Sequence, residues 1–429
     1  MADHGDTIFA LASARGKAGV SVIRISGPGA RDAAATLTGD LPPDREARLR
    51  VVRDAAGGRI DAALVLVFPE DHSFTGESVV ELQTHGSTAV VQAVLACLGQ
   101  LEGCRLAEPG EFTRRALDNN RLTLTEVEGL SDLIEAETEA QRKQADRLFR
   151  GELRARAEEW RQDLIRASAL IEASIDFADE EIPDGVIAEA QDLIAKTKRS
   201  VDLELNGAQA ARGVREGFEV AIVGRPNVGK STLLNAIARR DAAIVSDIAG
   251  TTRDIVEARV DLNGQNVLFL DTAGLRESGD TIEQLGVEKA RSRSSAADLR
   301  VFLGEGASEL GVPVESSDIV IGAKADISGQ GVSGLTGEGV AELLKEVSDR
   351  LETFVAGSSL ASHERHVVAL SDASAELALA GSLLGSDEGA FDLAAESIRA
   401  SITALERLVG RVGIEDVYDE IFRSFCLGK

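Results

Sequence analysis

The chain has 429 residues, against a usual ~100 to 200 per domain, so it holds two to four domains, and a peptide or single mini-domain is excluded. Its 46 basic and 72 acidic side chains leave a formal charge of −26, which repels polyanions over most of the surface and excludes a generic nucleic-acid-coating protein. Three cysteines, Cys97, Cys104 and Cys426, form no CxxC pair, which excludes a disulfide scaffold or a cysteine-rich zinc site and fits a reducing cytosol.

The chain starts MADHGDTIFALAS, without a basic region followed by a long apolar core, and no later run reaches about 18 uncharged apolar residues. A cytoplasmic chain that is neither exported nor inserted in a membrane is expected. Across residues 1–119, short apolar stretches (VSVIRISG, AALVLVFPE, VVELQTH) alternate with Gly/Pro turns, and TAVVQAVLACLGQL reads as a helix after a strand. This is an α+β domain. No proline interrupts residues 121–181, and Trp160, Leu164, Ala167, Ile171 and Ile175 recur at the spacing of one face of a long helix.

Around residues 206–217 the chain turns Gly- and Ala-rich. FEVAIVG then begins a strand, loop, helix pattern that runs to about residue 351 and suits a doubly wound, mostly parallel sheet. Beyond residue 358 no proline follows, and Ile398, Ile402, Leu405, Val409 and Val412 form another apolar stripe. Packing of this tail on the helices of 121–210 makes the α/β unit an insertion in one helical domain.

The strongest chemical signal is Gly224-Arg-Pro-Asn227-Val228-Gly229-Lys230-Ser231-Thr232, a GxxxxGKS loop between the strand VAIV and the helix STLLNAIA. Glycines let main-chain N–H groups turn toward phosphate oxygens, Lys230 supplies a point charge, and the Ser231 hydroxyl suits a Mg²⁺ shell. A chance glycine turn is the plain alternative, and two later segments remove it. One is Asp247-Ile248-Ala249-Gly250-Thr251-Thr252, and the other is Asp271-Thr272-Ala273-Gly274 at a strand end. A threonine able to ligate Mg²⁺ and a γ-phosphate-sensing glycine complete a nucleotide switch.

Base choice falls to Ala323-Lys324-Ala325-Asp326, where the strand DIVIG ends. Asp326 accepts from both donors on a guanine edge, so GTP is preferred. Ala323 stands where Asn is usual, which removes one side-chain contact to the base worth on the order of 1 kcal/mol. Ser333-Gly-Leu is a loose form of the segment that usually completes the base site. Leu275 follows DTAG where many GTPases place Gln, so another group must orient the attacking water. Glu277, Asp280 and Glu283 are candidates, each alternatively a solvated loop carboxylate. The side-chain carbonyl of Asn227 can hold a monovalent cation beside the phosphates, where an arginine finger sits in other GTPases.

Over essentially its whole length the chain resembles the MnmE (TrmE) family of tRNA-modification GTPases. The matching segments are GDTIFALAS, VIRISG, SFTGE, VELQTHG, PGEFTRRA, DFADEEI, GRPNVGKSTLLNA, AAIVSDIAGTTRD, DTAGLRES and FCLGK. The resemblance implies a multidomain α/β plus α fold in four segments. Residues 1–119 are a folate-binding and dimerising α+β domain, 120–213 and 354–429 the two parts of a helical domain, and 214–353 an inserted P-loop GTPase domain. It further implies a homodimer whose GTPase domains meet face to face, a flavoprotein partner, MnmG, in a heterotetramer-type complex, and tRNA as substrate. The implied product carries an aminomethyl or carboxymethylaminomethyl group on C5 of the wobble uridine.

By the same resemblance Asn227 is a K⁺ ligand with the main-chain oxygens of Ser246, Ile248 and Thr251, and Ser231 and Thr252 are Mg²⁺ ligands. Glu283 matches the acid that orients water through a second water. Arg24, Glu81, Arg121 and Lys429 fall where the family binds 5-formyltetrahydrofolate or a related one-carbon folate. Read alone, the first three are salt-bridge or surface residues. Cys426 is similar to a cysteine needed for modification, its plain alternative being a small buried side chain. Lys143, Arg147, Arg150, Arg154 and Arg161 share one helix face and can meet tRNA phosphates or simply face solvent. Two other classes stay open from the residues alone: a folate-dependent one-carbon transferase with a regulatory GTPase domain, and a ribosome-assembly GTPase.

Overall fold

The computed structural model describes residues 5–176, 185–225, 227–239, 257–271, 297–304, 313–385 and 390–412, with Phe422, Phe425 and Gly428. The chain divides into two units, residues 1–131 with 409–429, and residues 132–408.

In the first unit, period-two alternation produces β1 (Thr7–Leu11), β2 (Ala18–Ser26), β3 (Arg48–Arg53), β4 (Arg59–Phe68), β5 (Val79–Gly86) and β6 (Cys104–Leu106). They form one sheet in the order β3-β4-β5-β2-β1-β6, antiparallel except for the β1–β6 pair. One face of each strand packs Ile23, Ile25, Val65, Val67 and Leu82 against the helices α1 (Ala30–Thr38) and α2 (Thr88–Leu98). The opposite face leaves Leu49, Val20 and Leu64 open, at 67%, 56% and 37% exposure. Two further helices follow, α3 (Glu111–Asp118) and α4 (Leu124–Glu135).

Phe422 and Phe425 pack with Leu117, Leu124 and Val127 in an apolar cluster. A side chain at Gly428 would strike the Leu11 carbonyl, with Leu11 C only 2.7 Å from the added Cβ, so only glycine passes this edge of β1. Among the described residues of 409–429, Phe422 and Phe425 thus pack on α3 and α4, and Gly428 lies against β1.

A charge network ties the motifs of this unit together. Arg115 is fully buried and donates to Asp6 (2.7 Å), Glu77 (3.1 Å) and Glu111 (3.1 Å). Arg105 bridges Asp6 and Glu111 at 2.5 Å each. Burial pushes the Glu111 carboxyl up, but bonds from Arg105, the Glu108 N–H and Arg115 outweigh it and hold the group below its ordinary value. Asp6 is lowered likewise, burial again opposing the bonds from Arg105 and Arg115.

In the second unit, proline-free sequence forms α5 (Glu139–Phe149), α6 (Glu152–Asp176), α7 (Val186–Asn206) and α8 (Ala208–Glu216). On α6, Trp160, Leu164, Ala167 and Ile171 are buried as their spacing predicts, and the Trp160 indole N–H donates to Ser200 Oγ on α7 at 2.9 Å. The α/β part follows in the order β7 (Phe218–Val223), α9 (Lys230–Ala238), β8 (Glu257–Leu262), β9 (Gln265–Asp271), β10 (Leu299–Leu303), β11 (Ile319–Ile321), α10 (Ala325–Ser328) and α11 (Val340–Val355). Its sheet runs β11-β10-β7-β9-β8, parallel apart from the antiparallel edge strand β8.

Two helices follow, α12 (Glu364–Leu384) and α13 (Phe391–Val409). Among the described residues α12 alone is long and apolar enough to cross a membrane. Its Leu370, Ala373, Leu377, Ala380 and Leu384 form a buried stripe at helical spacing, and the helix packs along α7. Helices from before and after the α/β part thus share one core. On α13, Ile398, Leu405 and Val409 are buried, whereas Val412 is exposed beyond the helix end at Gly410.

Replacing Arg115 by Met should strand three carboxylates and lower the unfolding free energy of the first unit by about 3–5 kcal/mol in urea titrations at neutral pH. The carboxylates of Asp6 and Glu111 have folded values below their unfolded ones, so their contribution is full above the ordinary range near pH 4 and vanishes as pH falls through the lowered values. The native chain should therefore lose stability below about pH 4 more steeply than Arg115→Met.

Candidate functional site

The glycine loop lies between β7 and α9 at the carboxyl end of the sheet, where open α/β folds place ligands. Asn227 (φ 62°) and Gly229 (φ 114°) both take left-handed backbone, which turns the loop before the first turn of α9. Lys230 is buried at 5% exposure, and its ammonium donates to the carbonyls of Gly224 (2.7 Å) and Arg225 (2.9 Å). The lysine spans its own loop and fixes the curvature of the main chain.

Ser231 Oγ donates to Asp271 Oδ2 at 2.5 Å. These residues are distant in sequence but meet because β7 and β9 are parallel neighbours, with Ile222 in register with Asp271. A hydroxyl and a buried carboxylate side by side are hard oxygen donors of the type that hold Mg²⁺.

Beyond the loop lies a cavity of about 280 Å³, bordered by Val228, Leu303, Asp326, Ile327, Gly334 and Leu335 among others. Lys324 (φ 56°) turns the chain at the end of β11 into α10, which carries Asp326 at the rim. Ala323 is half-buried against the apolar core of this part. A larger cavity of about 670 Å³, lined by residues such as Asp132, Gln141, Arg215 and Arg259, contains none of the nucleotide-site residues.

The structure thus brings together Asn227, Val228, Gly229, Lys230, Ser231, Thr232, Asp271, Lys324 and Asp326 around one end of the sheet. Ser246, Asp247, Ile248, Ala249, Gly250, Thr251, Thr252, Thr272, Ala273, Gly274, Glu283, Cys426 and Lys429 lie outside the described residues.

In the N-terminal unit, Arg24 and Glu81 are cross-strand partners of β2 and β5 and form an ion pair at 3.0 Å. The Arg24 guanidinium also lies 5.8 Å from the Phe74 ring centre and 5.7 Å from that of Phe112, and Nη1 donates to the Gly428 carbonyl at 3.4 Å. Arg121 donates to the Asp71 carbonyl at 3.3 Å and packs its stem at Gly76. The expected basic face on α5 and α6 is largely matched by acids: Lys143 with Glu139, Arg147 with Glu152, Arg150 with Asp146, and Arg161 with Glu158 and Glu406. A salt-bridged helix surface describes it better than an exposed phosphate-binding strip.

Sequence reasoning missed the Arg115 network. Its signal was present in SFTGE and PGEFTRRA, which place Glu111 and Arg115 one helical turn apart. It also missed Gly428 as a neighbour of Arg24, a contact no local pattern announces.

A family model described as "MnmE helical domain" matches residues 124–426, and one described as "GTP-binding protein TrmE N-terminus" matches residues 7–121. The tRNA modification GTPase MnmE of Ruegeria pomeroyi is 52% identical over 427 residues, covering 99% of this chain and 100% of that protein. The chain belongs to the MnmE family of tRNA modification GTPases. A second MnmE, from Dinoroseobacter shibae, is 53% identical over 429 residues with the same coverage. Among solved structures, Era of Aquifex aeolicus bound to GDP·AlF4⁻ is 30% identical over 31% of this chain and 56% of that one, with a TM-score of 0.24. Membership in the MnmE family makes this chain a GTP-hydrolysing enzyme of tRNA modification.

With Asp326 as the base acceptor the sequence predicts, Asp326→Asn should replace an acceptor by a donor at the base edge, lowering GDP affinity about 100-fold or more and raising affinity for xanthosine diphosphate. Isothermal titration with the two nucleotides measures the exchange.

Proposed function

We propose that this chain hydrolyses GTP at the 224–231 loop and, with the flavoprotein MnmG, installs an aminomethyl or carboxymethylaminomethyl group on C5 of the wobble uridine of tRNA, in the cytoplasm where that substrate is found. The observation that carries the hydrolytic half is the Ser231–Asp271 contact beside a lysine-closed loop. It fits a divalent cation by its donor chemistry, and Thr252 is the further ligand we assign.

In this reading, Lys230 and the main-chain N–H groups at the start of α9 hold the phosphates, and Asp326 holds the base. Asn227, on left-handed backbone at the exposed rim of the loop, offers its side-chain oxygen to K⁺, with the main-chain oxygens of Ser246, Ile248 and Thr251 as partners. A K⁺ held there would supply positive charge beside the phosphates, where negative charge develops during transfer. Glu283 orients the attacking water, a task Leu275 cannot perform.

Dimerisation of the GTPase domains completes the cation site, and the N-terminal units form the constitutive pair. The open apolar sheet face carrying Val20, Leu49 and Leu64 supports the second contact. Arg24, with its acid partner Glu81 and two aromatic rings, suits an anionic, planar ligand such as a one-carbon folate, and Arg121 and Lys429 are assigned to the same ligand. Residues 120–213 and 354–429 are read as the helical domain that holds Cys426 for modification.

Exchange of K⁺ for Na⁺ should slow GTP hydrolysis about tenfold or more, and Glu283→Ala should lower kcat about 100-fold while leaving GTP affinity within twofold. Equal rates in the two salts would remove the cation from the mechanism. Cys426→Ser should spare hydrolysis yet abolish the C5 modification, read by mass spectrometry of nucleosides from a strain carrying only the variant. Unmodified wobble uridine in cells lacking the chain, and restoration by the native gene, test the assignment as a whole.

A further inference from the structure

The cavity of about 670 Å³ opens beside the start of β9, away from the carboxyl ends of the strands that hold the glycine loop. One wall is the β8–β9 hairpin. Arg259 pairs with Leu268 and Asp261 with Asn266, and residues paired across strands point to the same face, so Arg259 and Asn266 border the cavity together. Another wall is the end of α4 and the residues just after it, which bring Glu135 and Glu137. Ile134, at 39% exposure, adds apolar surface with Ala136 and Ala145.

Several polar side chains on these walls are already matched. Asp132 holds His363 at 3.0 Å and lies 3.9 Å from Arg215, while Glu216 accepts from Arg212 at 2.8 Å and from Arg215. Gln141 and Gln144 donate to the main-chain carbonyls of Arg215 and Ala211, each at 3.0 Å. Three charges are left over. Among the described residues Arg259, Glu135 and Glu137 form no ion pair. Asn266 is buried at 5% exposure, and its side-chain amide has no hydrogen-bond partner among the described residues although it borders the cavity. An amide kept from bulk water and left unbonded is costly, and a polar group seated in the cavity removes that cost.

We propose that this cavity binds a free basic α-amino acid such as lysine. The complement of one unpaired cation and two unpaired carboxylates is a ligand with one carboxylate and two cationic groups. The Arg259 guanidinium takes the ligand carboxylate in two parallel hydrogen bonds, and the Asn266 amide donates to the same group. Glu135 and Glu137 take the α-ammonium and the side-chain cation. The methylene stem lies on Ile134, Ala136 and Ala145. A polyanion such as a nucleotide is refused by the acids, and a plain polyamine leaves Arg259 unmet.

The test is isothermal titration of the full chain with three compounds built on one stem: L-lysine, cadaverine, which lacks its carboxylate, and ε-aminocaproate, which lacks its α-ammonium. L-lysine should bind with a Kd at or below about 1 mM, and each of the other two at least about tenfold more weakly. Arg259→Gln should weaken L-lysine about tenfold and leave cadaverine within about twofold of native, because only the carboxylate contact is removed. Absence of L-lysine binding up to about 10 mM overturns the proposal. So does equal affinity for L-lysine and cadaverine, which would mark an acidic surface that attracts any amine, or for L-lysine and ε-aminocaproate. Native L-lysine affinity in Arg259→Gln overturns it as well. If Arg259→Gln does not fold, Glu137→Gln carries the test from the cationic end: L-lysine should weaken about fivefold or more, and native affinity there rejects the site.

Discussion

The Ser231–Asp271 contact is the constraint on which the nucleotide site depends. It forms because β7 and β9 lie side by side in parallel register, so that the end of one strand and the first helical turn after the other converge at a single point. A buried carboxylate there costs free energy unless it is bonded, and the serine hydroxyl supplies that bond. Lys230 works in the same manner one residue earlier, its charge satisfied by two carbonyls of the loop it closes. The apolar interior of Val220, Ile222, Phe269 and Val301 beneath them keeps these strand ends fixed.

Charge organisation explains how so acidic a chain belongs to a family that acts on tRNA. Of its formal −26, the basic residues on α5 and α6 offset little of the net charge facing a ligand, because Lys143, Arg147, Arg150 and Arg161 are engaged by neighbouring acids on α5, α6 and α13. Exposed pairs of this kind are worth under about 1 kcal/mol each and reopen readily, so they carry little fold stability. Long-range attraction for a polyanion is correspondingly weak, and a partner protein that contributes basic surface suits that balance.

Much of the fold was legible because its signals are local. The alternation in VSVIRISG and AALVLVFPE became β2 and β4, and the stripe Trp160, Leu164, Ala167, Ile171 became the buried face of α6. The phosphate loop was readable for the same reason: its turn, charge and helix start occupy consecutive residues. What escaped depends on distance along the chain. The meeting of Arg115 with Asp6 and Glu77, and that of Arg24 with Gly428, join segments far apart in sequence, and neither hydrophobic period nor motif spacing encodes such encounters. Ala323 was legible as a missing contact, while the main-chain pairing of residues 322–325 with Val332 depends on how closely two turns approach.

The seating of Phe422, Phe425 and Gly428 against the first unit bears on biosynthesis. At about 5–20 residues per second, the ribosome finishes β1 tens of seconds before it releases residue 428. During that interval Leu117, Leu124 and Val127 lack their aromatic cover, and the intervening helices and GTPase part must emerge around an incomplete sheet unit. A nascent chain stalled between residues 127 and 422 would therefore leave these apolar side chains without their partners and open to chaperones.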